Sequence, residues 1–379
     1  MNDRQEMEVL ALNSGSSSLK FGLYRVGSTR AELLVTGEAE SIGDPGGKLS
    51  AKDAHGNSLL SETASLPSQK EAIARIGKLL ADTKQPSPKA IGHRIVHGGP
   101  KLRQHCIIDD TVLDELKAAT AFAPLHTPSA LAVIRFAQEH FPGLPQAACF
   151  DTTFHAAMPD VARVLPIPKV LLAEGIQRYG FHGLSCESIL HQLGSDPPRR
   201  LVIAHLGNGA SVTAVRDGKS IDTSMGLTPT GGIIMGTRTG DLDPGVLVYL
   251  MREKKFDAAK IEDLVDHRSG LQGISGIGHD MRGLHEAAAT NPDARLAISM
   301  FCYSVRKQIA AMIGALGGVD MIVFAGGIGE HDDAVRAEIC DNLPWISGTA
   351  SGCSVRVIPS QEDEQIARHS FALSSAAPR

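Results

Sequence analysis

The chain has 379 residues, 42% hydrophobic and 21% charged, which is the balance of a globular protein with room for two or three domains and excludes wholesale disorder. Lys and Arg total 37 against 42 Asp and Glu, a net charge of −5, so nothing global favours a nucleic acid or a charged membrane surface as partner. The six cysteines, at 106, 149, 186, 302, 340 and 353, never form C-x-x-C; this speaks against a disulfide framework or zinc knuckle and for a cytoplasmic location.

Met1 to Val9 carries Asp3, Glu6 and Glu8 and lacks the charge and apolar length of a signal peptide. Val9–Leu12 is a short apolar run, followed by a Gly/Ser turn over 13–18 and an alternating segment over Leu19–Tyr24, a pattern that predicts a β-hairpin. Residues 41–67 are rich in Gly, Ser, Asp and Lys and read as irregular surface or short edge strands. Ser68 and Glu71 form a capping box ahead of Ile73, Ile76, Leu79 and Leu80, a helix closed by Pro86 and Pro88. Thr127 and Pro128 predict an N-cap and an N1 proline for a second helix through Leu131, Ile134 and Ala137. The longest helical pattern covers 294–316 and stops at Gly317–Gly318.

Strand-like and helix-like segments alternate, which predicts an α/β architecture. The opening unit also has an echo. Val9–Leu12, its Gly/Ser turn and its second strand recur as Val202–His205, the turn Leu206–Ser211 and Val212–Val215, as a duplicated fold would give. The hinge between the copies is expected near Cys149–Thr152, where an apolar run meets an acid.

Gly/Ser turns offer unhindered backbone N–H groups and hydroxyls to a phosphate, and Lys20 adds a charge beside the first of them. A single such loop is ordinarily just a turn; two at equivalent places in a duplicated chain strengthen the phosphate reading. Neither is a Walker motif. Arg94 lies among apolar residues and needs an anionic partner, either a structural carboxylate or a ligand. Arg238 sits in a Gly-flanked turn near Asp241 and Asp243; two planar guanidiniums suit phosphoryl transfer. Asp151 follows an apolar run, either as a strand-end carboxylate or as a helix cap. His182 and His205 lie beside apolar residues, where a core role is the commoner outcome, and Val319–Glu330 reads as a buried strand entering a glycine turn.

Together, Asn13–Lys20, Gly92–Gly99, Phe150–His155, Tyr179–Gly183, His205–Gly209, Met235–Pro244 and Ala325–Glu330 resemble, in order and spacing, the motifs of the acetate kinase family, to which propionate kinases are close relatives. The resemblance implies two duplicated ribonuclease H-like domains, as in the sugar kinases, actin and the chaperone ATPases. The expected division is 1–150, with a C-terminal helix over 364–379 packing back on it, and 151–363. It also implies magnesium-dependent transfer of the ATP γ-phosphoryl group to acetate, with manganese as a substitute, in a homodimer that has no nucleic-acid or membrane partner. On this carry-over Asp151, Arg94, Arg238 and His182 are catalytic, with Arg238 and His182 stabilising the transition state. Arg94, Val96, Leu125, Phe181 and Pro229 bind acetate. Asn13 and Glu362, or one of the neighbouring acids Asp363 and Glu364, hold magnesium, with Asp151 helping to organise it. Asn13, Ser16, Ser18, Lys20, His205, Leu206, Gly207, Asn208 and Gly209 line the phosphates, and Asp280, Met281, Arg282, Gly326, Gly327, Ile328 and Gly329 the rest of the nucleotide. The chain departs from the family pattern at Thr127, Cys186 and His331.

Overall fold

The computed structural model describes residues 6–15, 17–44, 46–124, 126–341, 343 and 352–376. The chain divides into two compact units: Met1–Thr153 with Gly183–Ser188 and Gln361–Arg379, and Phe154–His182 with Ile189–Ser360.

In the first unit β1 (Met7–Ser14) and β2 (Leu19–Val26) pair antiparallel in the expected hairpin. β3 (Ala31–Glu40), β4 (Lys48–Asp53) and β5 (Ser58–Thr63) extend the sheet from β2, so the ambiguous 41–67 stretch contains short strands, with β5 at the edge. On the other side of β1 lie β6 (Ala90–Ile95), β8 (Gln146–Phe150) and the two-residue β7 (Cys106–Ile107), giving the order β5-β4-β3-β2-β1-β6-β8-β7. Side chains alternate across the sheet. Leu10 and Leu12 face a core shared with Ile73, Ile76 and Leu79 of the Gln69–Asp82 helix, whereas Val9 and Ala11 face Ile366, Ala367 and Phe371 of the C-terminal helix Glu362–Ala376. Each large side chain buried this way contributes roughly 1.5–3 kcal/mol. The C-terminal helix begins at Glu362, two residues earlier than expected, so Glu362, Asp363 and Glu364 all occupy its first turn.

Ser68 caps the Gln69–Asp82 helix by accepting the Glu71 N–H, as its capping box predicts. Thr127 does not cap the next helix, Thr127–His140. His126 holds the cap position, and Thr127 already lies inside the helix because the N–H groups of both residues bond to the Ala123 carbonyl in the preceding turn.

The second unit repeats the plan. β9 (Arg200–Leu206) and β10 (Ala210–Arg216) form the hairpin, β11 (Lys219–Thr223) flanks β10, and β12 (Met321–Ala325) and β13 (Ser354–Val357) add parallel to β9 in the order β11-β10-β9-β12-β13. This matches β3-β2-β1-β6-β8 strand for strand, so the architecture is α/β with a duplicated ribonuclease H-like sheet. The 25-residue helix Pro292–Leu316 packs on β9 and β10 and ends at Gly317 in a left-handed conformation (φ +69°). Among the described residues no helix is long and apolar enough to cross a membrane.

Candidate active site

In the first unit the site grows from the ends of three strands and one helix. β1 ends at Asn13–Ser14, β6 carries Arg94, β8 is followed by Asp151, and the C-terminal helix brings its first-turn acids to the same place. Asp151 is 1% exposed. Arg94 satisfies it with a fork: Nη2 donates to Oδ2 at 2.7 Å and Nε reaches both carboxylate oxygens at 3.1 Å. The third guanidinium nitrogen donates to Asn13 Oδ1 at 3.1 Å and lies 3.8 Å from Glu362 Oε2. The guanidinium is therefore anchored by Asp151, with Asn13 and Glu362 beside it.

Asn13 also donates through Nδ2 to Asp363 Oδ1 at 3.3 Å. Glu364 is turned away and engaged with Arg368 at 2.7 Å. Asp363, one of the alternative acids in the 362–364 run, thus joins Glu362 beside Asn13. Lys20 is the cross-strand partner of Asn13. Burial lifts the Asp363 carboxyl to about 6, Glu362 adds to the shift, and Asn13, Lys20 and Arg94 oppose it. Burial also raises Asp151, against the pull of Arg94. Three carboxylates facing one guanidinium and one ammonium leave a local excess of negative charge, and hard oxygen donors in that balance fit a divalent cation.

Ser18 closes the first hairpin turn by accepting the Gly15 N–H on its carbonyl at 2.9 Å. Val96, just past β6, is half-buried. Ser16 and Leu125 lie outside the described residues.

The second unit assembles a different chemistry. His182 is a non-glycine residue in the left-handed region (φ +58°, ψ +27°), a conformation that costs free energy and concentrates at functional sites. It is 8% exposed, its Nδ1 lies 3.0 Å from Ser211 Oγ, and its ring stacks on His205 with centroids 4.2 Å apart. Its Nε2 and the Arg238 Nη1 converge on Gly209: a Cβ there would stand 3.4 Å from each. Arg238 is steadied by donating to the Pro229 carbonyl at 3.2 Å, and Asn208 by accepting the Gly236 N–H at 3.1 Å.

Gly326 turns out of β12 at φ +76°, where a Cβ would lie 2.7 Å from the Leu206 carbonyl. Glycine is needed to bring the short Gly326–His331 helix against the Leu206–Gly207 turn. The Gly326 N–H is taken by Glu330 Oε1 at 2.9 Å, whereas Gly327 has open space around its Cα. Ile328 and Gly329 continue this helix. Asp280 caps the Met281–Ala288 helix and pairs with Arg282 at 3.0 Å on the exposed surface, with Met281 buried beneath. His285 of that helix reaches Asp332 at 2.9 Å, tying it to the residue that follows His331. Phe181 is 1% exposed and its carbonyl accepts from His155 Nε2 at 3.0 Å, a core placement.

The second-unit constellation thus unites His182, His205, Gly207, Asn208, Gly209, Arg238 and Gly326. The partner missed from sequence is Ser211, which meets His182 only through the fold; Asp363 meets Asn13 in the same way, although the three acids in a row at 362–364 were a visible signal for it.

Residues 8–368 match the model of the acetokinase family. The chain is 42% identical to an acetate kinase of Methylocella silvestris, over 96% of this chain and 97% of that one. Its fold is similar to the crystal structure of Porphyromonas gingivalis acetate kinase, with a TM-score of 0.86, 33% identity, and 97% of this chain and 100% of that chain covered. It is also similar to a propionate kinase from Francisella tularensis, with a TM-score of 0.89, 36% identity and the same coverage of both chains. With residues 8–368 matched in one continuous span and two ribonuclease H-like sheets that share one strand order, the chain belongs to the acetokinase family.

Proposed function

We infer that this protein is an acetate kinase, a phosphotransferase that moves the ATP γ-phosphoryl group reversibly to acetate. The observation that carries the reading is the family match over residues 8–368 in a chain that keeps Arg94, Asp151, His182 and Arg238 at the places the motifs require. An acetate oxygen attacks the γ-phosphorus in line, the bond from that phosphorus to the bridging β-oxygen breaks, and ADP leaves with the electron pair. Acetate is already ionised at neutral pH, so no general base is called for.

In this reading Arg238 and His182 bear on the charge that spreads over the equatorial oxygens, and the left-handed backbone at His182 holds its ring where Ser211 fixes one nitrogen and leaves the other toward Gly209. The Gly207–Gly209 turn with His205, and Gly327 with Ile328, approach nucleotide by backbone. Asp280 to Arg282 face the adenosine. Arg94, held by Asp151, presents positive charge to acetate, with Val96 beside the methyl group. Asn13, Glu362 and Asp363, with Asp151, would hold magnesium; when bound, the ion would neutralise phosphate oxygens, and manganese, another hard cation, would substitute for it. The Pro244–Glu253 helix leaves Val246, Val248, Tyr249 and Met251 exposed, which supports a homodimer, and six free cysteines support a cytoplasmic location.

Propionate is the second reading, favoured by the structural similarity to a propionate kinase. Hydroxylamine trapping of acyl phosphate with ATP, magnesium and acetate, propionate or butyrate decides between them. Acetyl hydroxamate in the largest yield is expected; propionyl hydroxamate in excess favours the second reading, and none from any acid overturns both.

A further inference from the structure

Glu187 stands in the short segment Gly183–Ser188 of the first unit. One of its carboxylate oxygens accepts from His369 at 2.7 Å, and the other faces His105 Nε2 at 3.5 Å. The two imidazoles lie against each other with centroids 4.0 Å apart, and all three side chains are at least three-quarters buried. Each belongs to a segment that ends in a site residue. His105 Nδ1 accepts the N–H of Phe150, the residue before Asp151. His369 lies two turns along the helix that begins with Glu362. The Glu187 segment donates the Gly183 N–H to the Asp151 carbonyl at 2.9 Å, and its Ser188 hydroxyl oxygen accepts the Gln361 N–H at 3.2 Å.

Two histidines and a glutamate within 4.8 Å have the make-up of a metal site. The hydrogen bonding points elsewhere. A neutral imidazole whose Nδ1 accepts an N–H carries its proton on Nε2, so His105 offers Glu187 a donor where a metal would need a lone pair. Burial raises the Glu187 carboxyl, but the two imidazoles beside it outweigh burial and hold it at about 2; His369 supplies a hydrogen bond at 2.7 Å, and His105 Nε2, at 3.5 Å, is a close contact without one.

We propose that Glu187 is a positioning residue for phosphoryl transfer: its carboxylate, bridging His105 and His369, fixes Asp151 and the Glu362 turn of the C-terminal helix relative to each other. The proposal rests on the acetate kinase reading. Glu187 meets no reacting atom in it and acts through the groups it aligns, so its loss falls on the step that depends on their alignment. Misplacement of about 1 Å costs up to about 100-fold.

The test is a double-mutant cycle of Glu187→Gln and His369→Gln in the full chain, read as kcat, KM for acetate and ATP, the magnesium concentration for half-maximal rate, and Tm. Each single variant is expected to lose roughly 10- to 100-fold in kcat and to need more magnesium, with acetate KM within about twofold of wild type. The double variant should be no worse than the poorer single, because both break one bridge. Wild-type kcat and magnesium requirement in Glu187→Gln, with Tm alone lowered, would make the cluster merely structural and overturn the proposal. If Glu187→Gln does not fold, His105→Gln takes its place in the cycle under the same criteria. Zinc that raises the Tm of wild type and not of Glu187→Gln would also overturn it, in favour of a metal site. Absence of acyl phosphate from the wild type sinks the acetate kinase reading itself, and that result is separate from any of these.

Discussion

The two hairpins of this chain have the same strand order around them and opposite chemistry beside them. At the end of β1 the neighbours are acids: Asp151, Glu362 and Asp363, with Arg94 and Lys20 as the cations that partly balance them. At the turn between β9 and β10 the neighbours are glycine backbone, two stacked imidazoles and Arg238. Duplication kept the sheet and divided the work. In the proposed function one copy would supply oxygen ligands to a hard cation and the other imidazoles, positive charge and close backbone approach to a phosphate. The two arginines look equivalent in sequence, yet Arg94 donates to the buried Asp151 carboxylate, whereas Arg238 donates to the Pro229 carbonyl and to Met235 Sδ.

That contrast is broken most sharply by Arg238→Ala, expected to lower kcat on the order of 10³-fold with Tm close to wild type, since an arginine acting on a transferring phosphoryl group is worth that much. Lysine should recover only part of it, lacking the planar fork. Turnover near wild type in a folded Arg238→Ala enzyme would take this residue out of the reaction. Arg94→Ala should behave differently. It strands Asp151 as an unpaired buried acid, and breaking a buried pair costs about 3–5 kcal/mol of stability. Urea melts should therefore show a clear loss for Arg94→Ala, and Asp151→Asn combined with it should recover part of the loss. Equal stability of the two alanine variants would erase the distinction drawn here.

The acid cluster gives the next effect. Glu362→Gln and Asp363→Asn each remove an anionic oxygen and should raise the magnesium concentration for half-maximal rate by roughly tenfold. Glu364→Gln should leave it unchanged because that carboxylate is spent on Arg368. A magnesium effect confined to Glu364→Gln would place the cation elsewhere on the helix. A smaller change is expected from Val96→Ala. A hydrophobic pocket discriminates one methylene by about 1–3 kcal/mol, so enlarging the wall should raise kcat/KM for propionate over acetate by several-fold and leave ATP KM alone. Unchanged acyl preference would mean that Val96 does not line the methyl pocket. Phe181→Ala serves as the contrasting core control: with 1% exposure it should cost about 3–5 kcal/mol of stability.

How much of this could be read beforehand depends on distance along the chain. The first hairpin, the Ser68 cap and the long helix ending at Gly317 are local patterns, and periodicity and capping chemistry report them directly. The repeat was legible because Val202–Val215 restates Val9–Tyr24 in kind. Thr127 failed as a cap because the turn before it, built on Ala123, sets where the helix starts, and no signal within the Thr-Pro pair carries that. The 41–67 stretch was ambiguous because its strands are short and interleaved with Gly and Ser, although β4 turns Leu49 and Ala51 into the core and only β5 lies at the sheet edge. The family motifs named the proposed site residues, and the structure gathers His182, His205, Gly209 and Arg238 in one unit and Asn13, Arg94, Asp151 and Glu362 in the other. Asp363 on Asn13, separated by 350 residues, and His369 on Glu187, separated by 182, were not legible, since no local pattern encodes such meetings.

The smallest effect separates two buried histidines. His182 of the second unit is strained, stacked and aimed at Gly209; His93 of the first is 1% exposed with Nε2 on Gln146 Oε1 at 2.7 Å. Burial drives the His93 imidazole down to about 4, and the Gln146 bond only partly offsets it. An imidazole that protonates at about 4 in the native state and near 6.5 when unfolded binds more protons in the unfolded state throughout that window. Its contribution to stability is therefore complete above pH 6.5 and is lost as the pH falls toward 4. His93→Gln cannot protonate, so its Tm should fall less steeply than that of wild type between pH 6.5 and 4, while kcat at pH 7.5 stays within about threefold. His182→Gln should instead show a large loss of kcat at pH 7.5. Parallel Tm slopes for wild type and His93→Gln would mean that His93 does not set the acid sensitivity of the first unit.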